Sequence, residues 1–312
     1  MQDDVNDEID LRELFAIIWR GKWLIVALTI ICAVAGVVYA KMQPNIYTAQ
    51  ALLAPKDGGA GGSGGALRGL ASLPGVNVGG EDANKSAIAQ EVLTSRIFLS
   101  SFIERHGYAP ELVAAMPWRG GSQELEYDTE RYNVETEAWK IAEGGQSLKP
   151  SVWSLVNRFR GSLSTATSQK TGMYQVSFEH YSPLFAAEAV TNLVNDLNNH
   201  MRRLDIEEAE RSIAYLQRKI QETSIAGMQQ VFFQLIENET RTVMLANSNP
   251  EYVFKVIDPA VAPETPSQPK RPLIAAVATM AGGLLGLLIV VIRSFLKKGE
   301  AQPDSPPTLK QE

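Results

Sequence analysis

The chain has 312 residues, 29 Lys and Arg against 35 Asp and Glu, and a formal charge of −6. That length gives about two folding units with a sizeable core, which excludes a stapled mini-protein. The acidic balance leaves no footprint for a phosphate backbone, so nucleic acid is not an expected partner. A single cysteine, Cys32, excludes an intrachain disulfide or a cysteine-built metal site.

Residues 1–22 form a polar leader with Asp3, Asp4, Asp7, Glu8, Asp10 and Glu13, followed by an uncharged apolar block from Trp23 to Ala40. Its 18 residues approach the roughly 20 needed to span a bilayer core. Val38-Tyr39-Ala40 would serve as a signal-peptide cleavage site, but the long acidic leader argues for a retained helix. Ile46 to Leu53 is rich in β-branched and aromatic residues and predicts a strand closed by Pro55. Gly58 to Gly80 holds 10 glycines in 23 residues, a mobile loop by composition. Within it Gly59-x-Gly61-x-x-Gly64 matches a dinucleotide fingerprint, yet the helix that fingerprint needs does not follow.

Helical spacing of Ile88, Val92, Ile97, Phe98 and Ile103 predicts one or two helices between Asn84 and His106. The tract from Trp118 to Pro150 is polar with scattered aromatics and carries no clear period. A short helix follows over Ser151–Phe159, then strands over Ser162–Ala166 and Met173–Phe178 around a turn at Lys170-Thr171-Gly172. Together with 247–258, residues 41–182 read as one α/β unit.

Between Pro183 and Pro250 no proline and only one glycine, Gly227, occurs. That permits one very long helix over 184–246, about 95 Å at 1.5 Å per residue, with a break at Gly227 into two helices as the alternative. Val190, Val194, Leu197, Met201 and Leu204 alternate by four and three, the packing seam of this helix, and Ile206, Ala209, Ile213, Leu216 and Ile220 form a second seam in shifted register. The seams pack on the protomer's other helices or also on neighbouring protomers. Tyr252 to Ile257 predicts a strand able to return and pair with Ile46 to Leu53. The segment 259–272, with Pro259, Pro263, Pro266, Pro269 and Pro272, is extended and stiff, expected to set the angle between domain and span.

A second apolar block runs from Pro272 to Ile292, 21 residues between Arg271 and Arg293, with a 20-residue tail, 293–312, after it. Two spans put both ends on one side and 41–271 on the other. Arg20, Lys22, Arg293, Lys297 and Lys298 favour cytoplasmic ends, although Lys41, Lys270 and Arg271 blur the count. Small residues recur every four positions in both spans: Cys32, Gly36 and Ala40, then Ala278, Gly282 and Gly286. Gly36, Gly282 and Gly286 are the candidates for close packing of spans, within or between protomers.

Catalytic patterns are missing from the sequence. His106, His180 and His200 lie at no metal-ligand spacing, and no nucleophile elbow, zincin motif or phosphate loop occurs. The acidic pairs Glu207-Glu208, Glu124 with Glu126, and Glu135 with Glu137 are ordinary for so acidic a chain. The expectation is a protein that is not an enzyme and has no cofactor.

The chain resembles the Wzz-type chain-length determinants, polysaccharide co-polymerases of the bacterial inner membrane, over nearly its whole length. The resemblance rests on Ile9-Asp10-Leu11-Arg12-Glu13-Leu14 with Trp19 and Lys22-Trp23, and on Tyr47-Thr48-Ala49 after the first span. It continues through Ser182-Pro183 with Ala186-Ala187 and Val190, Glu208-Ala209, Tyr215-Leu216, Val256-Ile257-Asp258-Pro259-Ala260 and Pro269-Lys270-Arg271-Pro272. It implies an α+β membrane protein in which two transmembrane helices flank a periplasmic domain, with a membrane-proximal α/β unit and a very long helix. It also implies a homo-oligomer that, without catalysis, acts on a separate O-antigen polymerase using lipid-linked glycan. Two features depart from the pattern: the length of the Gly58–Gly80 stretch, and the lack of the tyrosine kinase that co-polymerases for capsule or exopolysaccharide carry or partner. An export or kinase-activating adaptor for capsule or exopolysaccharide is the alternative.

Overall fold

The computed structural model describes residues 11–56, 80–117, 125–142 and 145–299. Most of the expected glycine-rich loop, with its Gly59-x-Gly61-x-x-Gly64 motif, lies outside them, as do Glu124 and the tail from 300 onward. The chain divides into two compact units, one made of the terminal segments up to Pro44 and from Gln268, the other running Asn45–Ser267.

The terminal unit is a pair of helices, α1 (Leu11–Met42) and a C-terminal helix over Arg271–Gly299. Within them Ile18–Met42 and Arg271–Ser294 are each long and apolar enough to cross a membrane. In the most apolar 18-residue stretch of each, only 11% and 17% of the residues are buried, so they are not the core helices of a globular unit. The two pack along each other, and their remaining faces carry exposed Trp23, Ile30, Val34, Leu284 and Ile289.

The unit Asn45–Ser267 begins with β1 (Tyr47–Pro55), whose alternate residues Tyr47, Ala49, Ala51 and Leu53 are buried, the period of a strand with one covered face. Next come α2 (Gly80–Thr94), α3 (Arg96–His106) and α4 (Ala109–Val113). Ser95 caps α3 by accepting the Phe98 N–H at 3.3 Å, and Gly107 ends it at φ +68°, where a side chain would be strained. The polar tract holds a minimal ribbon, β2 (Tyr132–Asn133) with β3 (Ala138–Trp139). Then α5 (Val152–Ser162), capped by Ser151, runs directly into β4 (Leu163–Thr167), which turns through Gly172 into β5 (Tyr174–His180).

From β5 the chain enters α6 (Pro183–Glu222), with Ser182 as N-cap and proline in the first turn, where its missing N–H costs nothing. After α7 (Ala226–Ser248) comes β6 (Phe254–Asp258), and the C-terminal span helix is α8. The sheet order is β4-β5-β1-β6, every pair antiparallel, with Ala49 opposite Phe178 and Leu53 opposite both Tyr174 and Val256. Helices cover one face. Phe102, Phe159, Phe178, Leu193 and Leu197, all fully buried, fill the space between helices and sheet.

One expectation needs correction. The continuous helix over 184–246 is interrupted at Thr223-Ser224-Ile225, where Thr223 (φ −110°, ψ 123°) and Ile225 (φ −87°, ψ 108°) are extended. β-Branched residues favour that backbone, and the Gln229 side chain donates to the freed Thr223 carbonyl at 2.7 Å. The break precedes Gly227 rather than falling on it, and α7 folds back along α6 as an antiparallel hairpin. The return is forced by strand pairing. Only Asn249–Val253 separate α7 from β6, a reach of about 18 Å at most, whereas a straight helix would carry Ala246 about 67 Å beyond Met201.

Candidate functional site

Small residues set how closely α1 and α8 approach. A Cβ on Gly36 would strike the Ala278 methyl, and one on Gly282 would sit 2.6 Å from the Cys32 Cβ. On Gly286 it would lie 3.0 Å from the Ile25 Cα, a backbone atom that cannot swing away. The three glycines named from the sequence therefore meet α1 or α8 of the same chain. Gly21, which the sequence reading overlooked, extends the seam by facing the Val290 methyls. The two threonine hydroxyls return to their own helices, Thr29 donating to the Ile25 carbonyl at 2.8 Å and Thr279 to the Ala275 carbonyl at 2.7 Å, whereas Arg271 Nε donates across the pair to the Ala40 carbonyl at 3.4 Å.

The residues expected to pack the long helix divide. Val190, Val194, Leu197 and Met201 are buried against the sheet. Leu204 is 41% exposed and must be removed from that seam. The seam turns at Met201 toward Ile206, Ala209, Ile213, Leu216 and Ile220, which together with Phe232, Ile236, Val243 and Ala246 of α7 are the covered or half-covered apolar residues of the hairpin. At the turning point stands Asn198, one of few buried polar side chains among the described residues. Its Oδ1 accepts the Val253 and Phe254 N–H groups, each at 2.9 Å, and its Nδ2 donates to the Phe254 carbonyl at 2.9 Å. An asparagine in an apolar helical stripe was the available signal, and it went unread.

Beyond the core the hairpin keeps apolar side chains on its outside. Met228, Val231, Leu235 and Leu245 lie along one side of α7 and are 43–56% exposed, and Tyr215, Phe233 and Met244 are exposed elsewhere on it. A lone two-helix hairpin cannot cover them.

Titratable groups in this unit serve structure. His180 is buried between the Ser182 N–H, which donates to its Nδ1 at 3.1 Å, and the Glu111 carbonyl, which accepts from its Nε2 at 2.9 Å. The first bond fixes Nδ1 as acceptor, so the neutral ring carries its proton on Nε2. Desolvation by burial is the main cause that pushes its pKa down to about 4. Burial also raises the Glu111 carboxyl above its ordinary value, while Tyr127 donates to one of its oxygens at 3.1 Å. His106 shares Asp196 with Arg105, at 3.1 and 2.6 Å, which ties α3 to α6. His200 packs on the Phe98 ring. Among the described residues no His, Cys, Asp or Glu group could hold a metal ion. Glu207 and Glu208 are exposed on α6, and Glu135 and Glu137 on the β2–β3 turn.

The prolines fall in both units. Pro259, Pro263 and Pro266 lie in irregular chain after β6, which ends where Ser267 donates its N–H to the Ile46 carbonyl at 2.9 Å. Pro269 and Pro272 belong to the terminal unit, Pro272 in the first turn of α8.

Residues 7–106 match the family model described as chain length determinant protein, Wzz, and residues 210–295 match the model described as G-rich domain on putative tyrosine kinase. A solved structure described as a full-length bacterial polysaccharide co-polymerase aligns with 94% of this chain and 100% of its own, at 14% identity and a TM-score of 0.40. No curated protein matches the chain. The first of these matches takes in α1, β1 and the helices through α3, and it supports the resemblance to the Wzz-type chain-length determinants.

Proposed function

We propose that this chain sets the length of O-antigen polysaccharide as a non-catalytic homo-oligomer acting on a separate polymerase. In this reading α1 and α8 cross the bacterial inner membrane, both ends are cytoplasmic and Asn45–Ser267 lies in the periplasm. The observation that carries it is the family match across the first span and β1, with a second apolar helix closing the same unit. The positive charges at Arg20, Lys22 and Arg293 support the orientation. The uncovered apolar side of α7 supports assembly, because water-exposed Val231, Leu235 and Leu245 are stabilised by burial against another protomer.

Regulation then works through geometry. Oligomerised spans and hairpins hold the polymerase or its lipid-linked glycan so that elongation stops near a preferred length. Gly282 and Gly286 set the separation of spans within each protomer, and any error there propagates around the assembly. Gly286→Leu is expected to disturb assembly and broaden the length distribution, read by cross-linking and by polysaccharide gel. The direct test is the O-antigen ladder of a deletion strain beside its complemented parent: polymer should persist while its preferred length vanishes. Loss of all polymer, or an unchanged ladder, would overturn the reading.

A second reading has its own support. The match of residues 210–295 to a domain described on putative tyrosine kinases favours a capsule or exopolysaccharide co-polymerase working with a cytoplasmic kinase. Co-purification of a tyrosine kinase with the intact protein, alongside loss of capsule in the deletion strain, would put this reading first.

A further inference from the structure

We propose that the cleft between the β2–β3 ribbon and helices α3, α4 and α5 is a seat for one neutral pyranose ring, which rests on the reading above that the protein works on a glycan. The cleft has a volume of about 290 Å³. That is the lower end of small-molecule sites, roughly 300–1,000 Å³, and fits one sugar ring rather than a nucleotide or a lipid chain.

Its chemistry is two-sided, as a sugar's is. Trp139, partly buried on β3, forms an aromatic wall, and Tyr132 on β2 buttresses it with ring centroids 5.2 Å apart and a 60° tilt. Ile103 and Leu155 supply an apolar floor. A pyranose presents just such an apolar face through its C–H groups. Around this surface stand Glu104, Glu137 and Lys149. Neither carboxylate, nor the ammonium, nor the Trp139 indole N–H has a hydrogen-bond partner among the described residues. Two acceptors, and donors from Lys149 and Trp139, match the alternating hydroxyls of a sugar rim.

Charge narrows the ligand. Two carboxylates against one ammonium repel phosphate and uronate, so the seat takes a neutral ring. Glu137 itself is held at φ +48°, a left-handed conformation that costs a glutamate energy and that no other described non-glycine residue adopts. The Asn133 side chain enforces the turn by accepting the Glu135 N–H at 3.0 Å and the Thr136 N–H at 3.4 Å.

The test uses the full chain in detergent micelles, with saturation-transfer NMR on lipid-free O-polysaccharide, on glucose and N-acetylglucosamine, and on galacturonic acid. Ring protons of the polysaccharide or a neutral sugar should receive saturation, and galacturonic acid should not. Trp139→Ala should weaken binding at least tenfold, Trp139→Phe less, and Glu104→Gln several-fold with an unchanged melting curve. Wild-type affinity in Trp139→Ala and Glu104→Gln, no binding by the wild type, or a preference for galacturonic acid would each overturn the seat. The two proposals fail separately. An unaltered ladder in the deletion strain removes the O-antigen reading, whereas unaltered sugar binding in the Trp139 and Glu104 variants removes only the seat.

Discussion

The two halves of α6 are one helix with two different employments. From Phe185 to Met201 it buries a residue at nearly every turn against the sheet, and from Arg202 to Glu222 it buries only Ala209. The first half is occupied by the protein's own core. The second packs chiefly on α7, apart from Asp205, which meets Lys85 of α2 and the Tyr252 hydroxyl, and the hairpin leaves Val231, Phe233 and Leu245 in the open. Stability therefore concentrates in the sheet-bound half, and the hairpin is where apolar surface is left for other molecules.

The sharpest way to break this comparison is a matched pair of truncations. Leu197→Ala should cost about 3–4 kcal/mol because the side chain is wholly buried, and Leu204→Ala less than about 0.5 kcal/mol because it is 41% exposed. Denaturant melts of the full chain in detergent would read both, and equal losses would mean that the seam does not turn at Met201. Asn198→Ala comes next, at about 2–3 kcal/mol, because it orphans two buried N–H groups and a carbonyl. Hydrogen exchange at Val253 and Phe254 should accelerate with it.

The third effect depends on pH. His180 has a folded pKa of about 4 against an ordinary 6.5, so between those values only the unfolded chain takes its proton. Its contribution to stability is complete above pH 6.5, falls as pH drops toward 4, and changes no further below; it is worth about 3 kcal/mol at most. Glu111, with a raised pKa, opposes this, because its contribution weakens as pH rises. His180→Gln should flatten the acid loss between pH 6.5 and 4 in melts of the full chain. The smallest effect is expected in the helix pair. Gly282→Ala should destabilise it by about 1–2 kcal/mol, while Gly283→Ala, whose Cβ would lie 3.7 Å from Thr29 Oγ1, should be tolerated. Thermal melts of the two variants as full chains in detergent would read the difference.

Local pattern carried much of the fold. The β-branched and aromatic run of Ile46–Leu53, the helical spacing through Ile103, the short helix over Ser151–Phe159, the strands over Ser162–Ala166 and Met173–Phe178, and the two uncharged blocks all correspond to elements of the fold. What local pattern could not carry was the turn at Thr223–Ile225. Apolar spacing continues across it without proline, and the reversal is imposed by β6 returning to β1. That same return was anticipated for Tyr252–Ile257, and it was already incompatible with a straight helix. The β2–β3 ribbon was illegible for another reason: two residues per strand are too few to show a period. Leu204 was assigned to the wrong seam because a four-three rhythm continues through it while the helix changes partner. The glycines of the span pair were legible as a stripe, but their particular partners depend on where α1 and α8 meet.

The placement of β1 at the centre of its sheet also sets the timing of folding. Its neighbours are β5 and β6, and Leu53 meets Val256 roughly 200 residues later in the chain. As the chain emerges from its N-terminal end, β1 waits with both edges unpaired until β5 arrives, and one edge remains open until almost the entire unit has been made. Such an edge is a template for wrong pairings. Closure of the sheet by β6 is thus a slow, late, long-range event, and a chain stalled or cut after α6 keeps an adhesive strand at its centre.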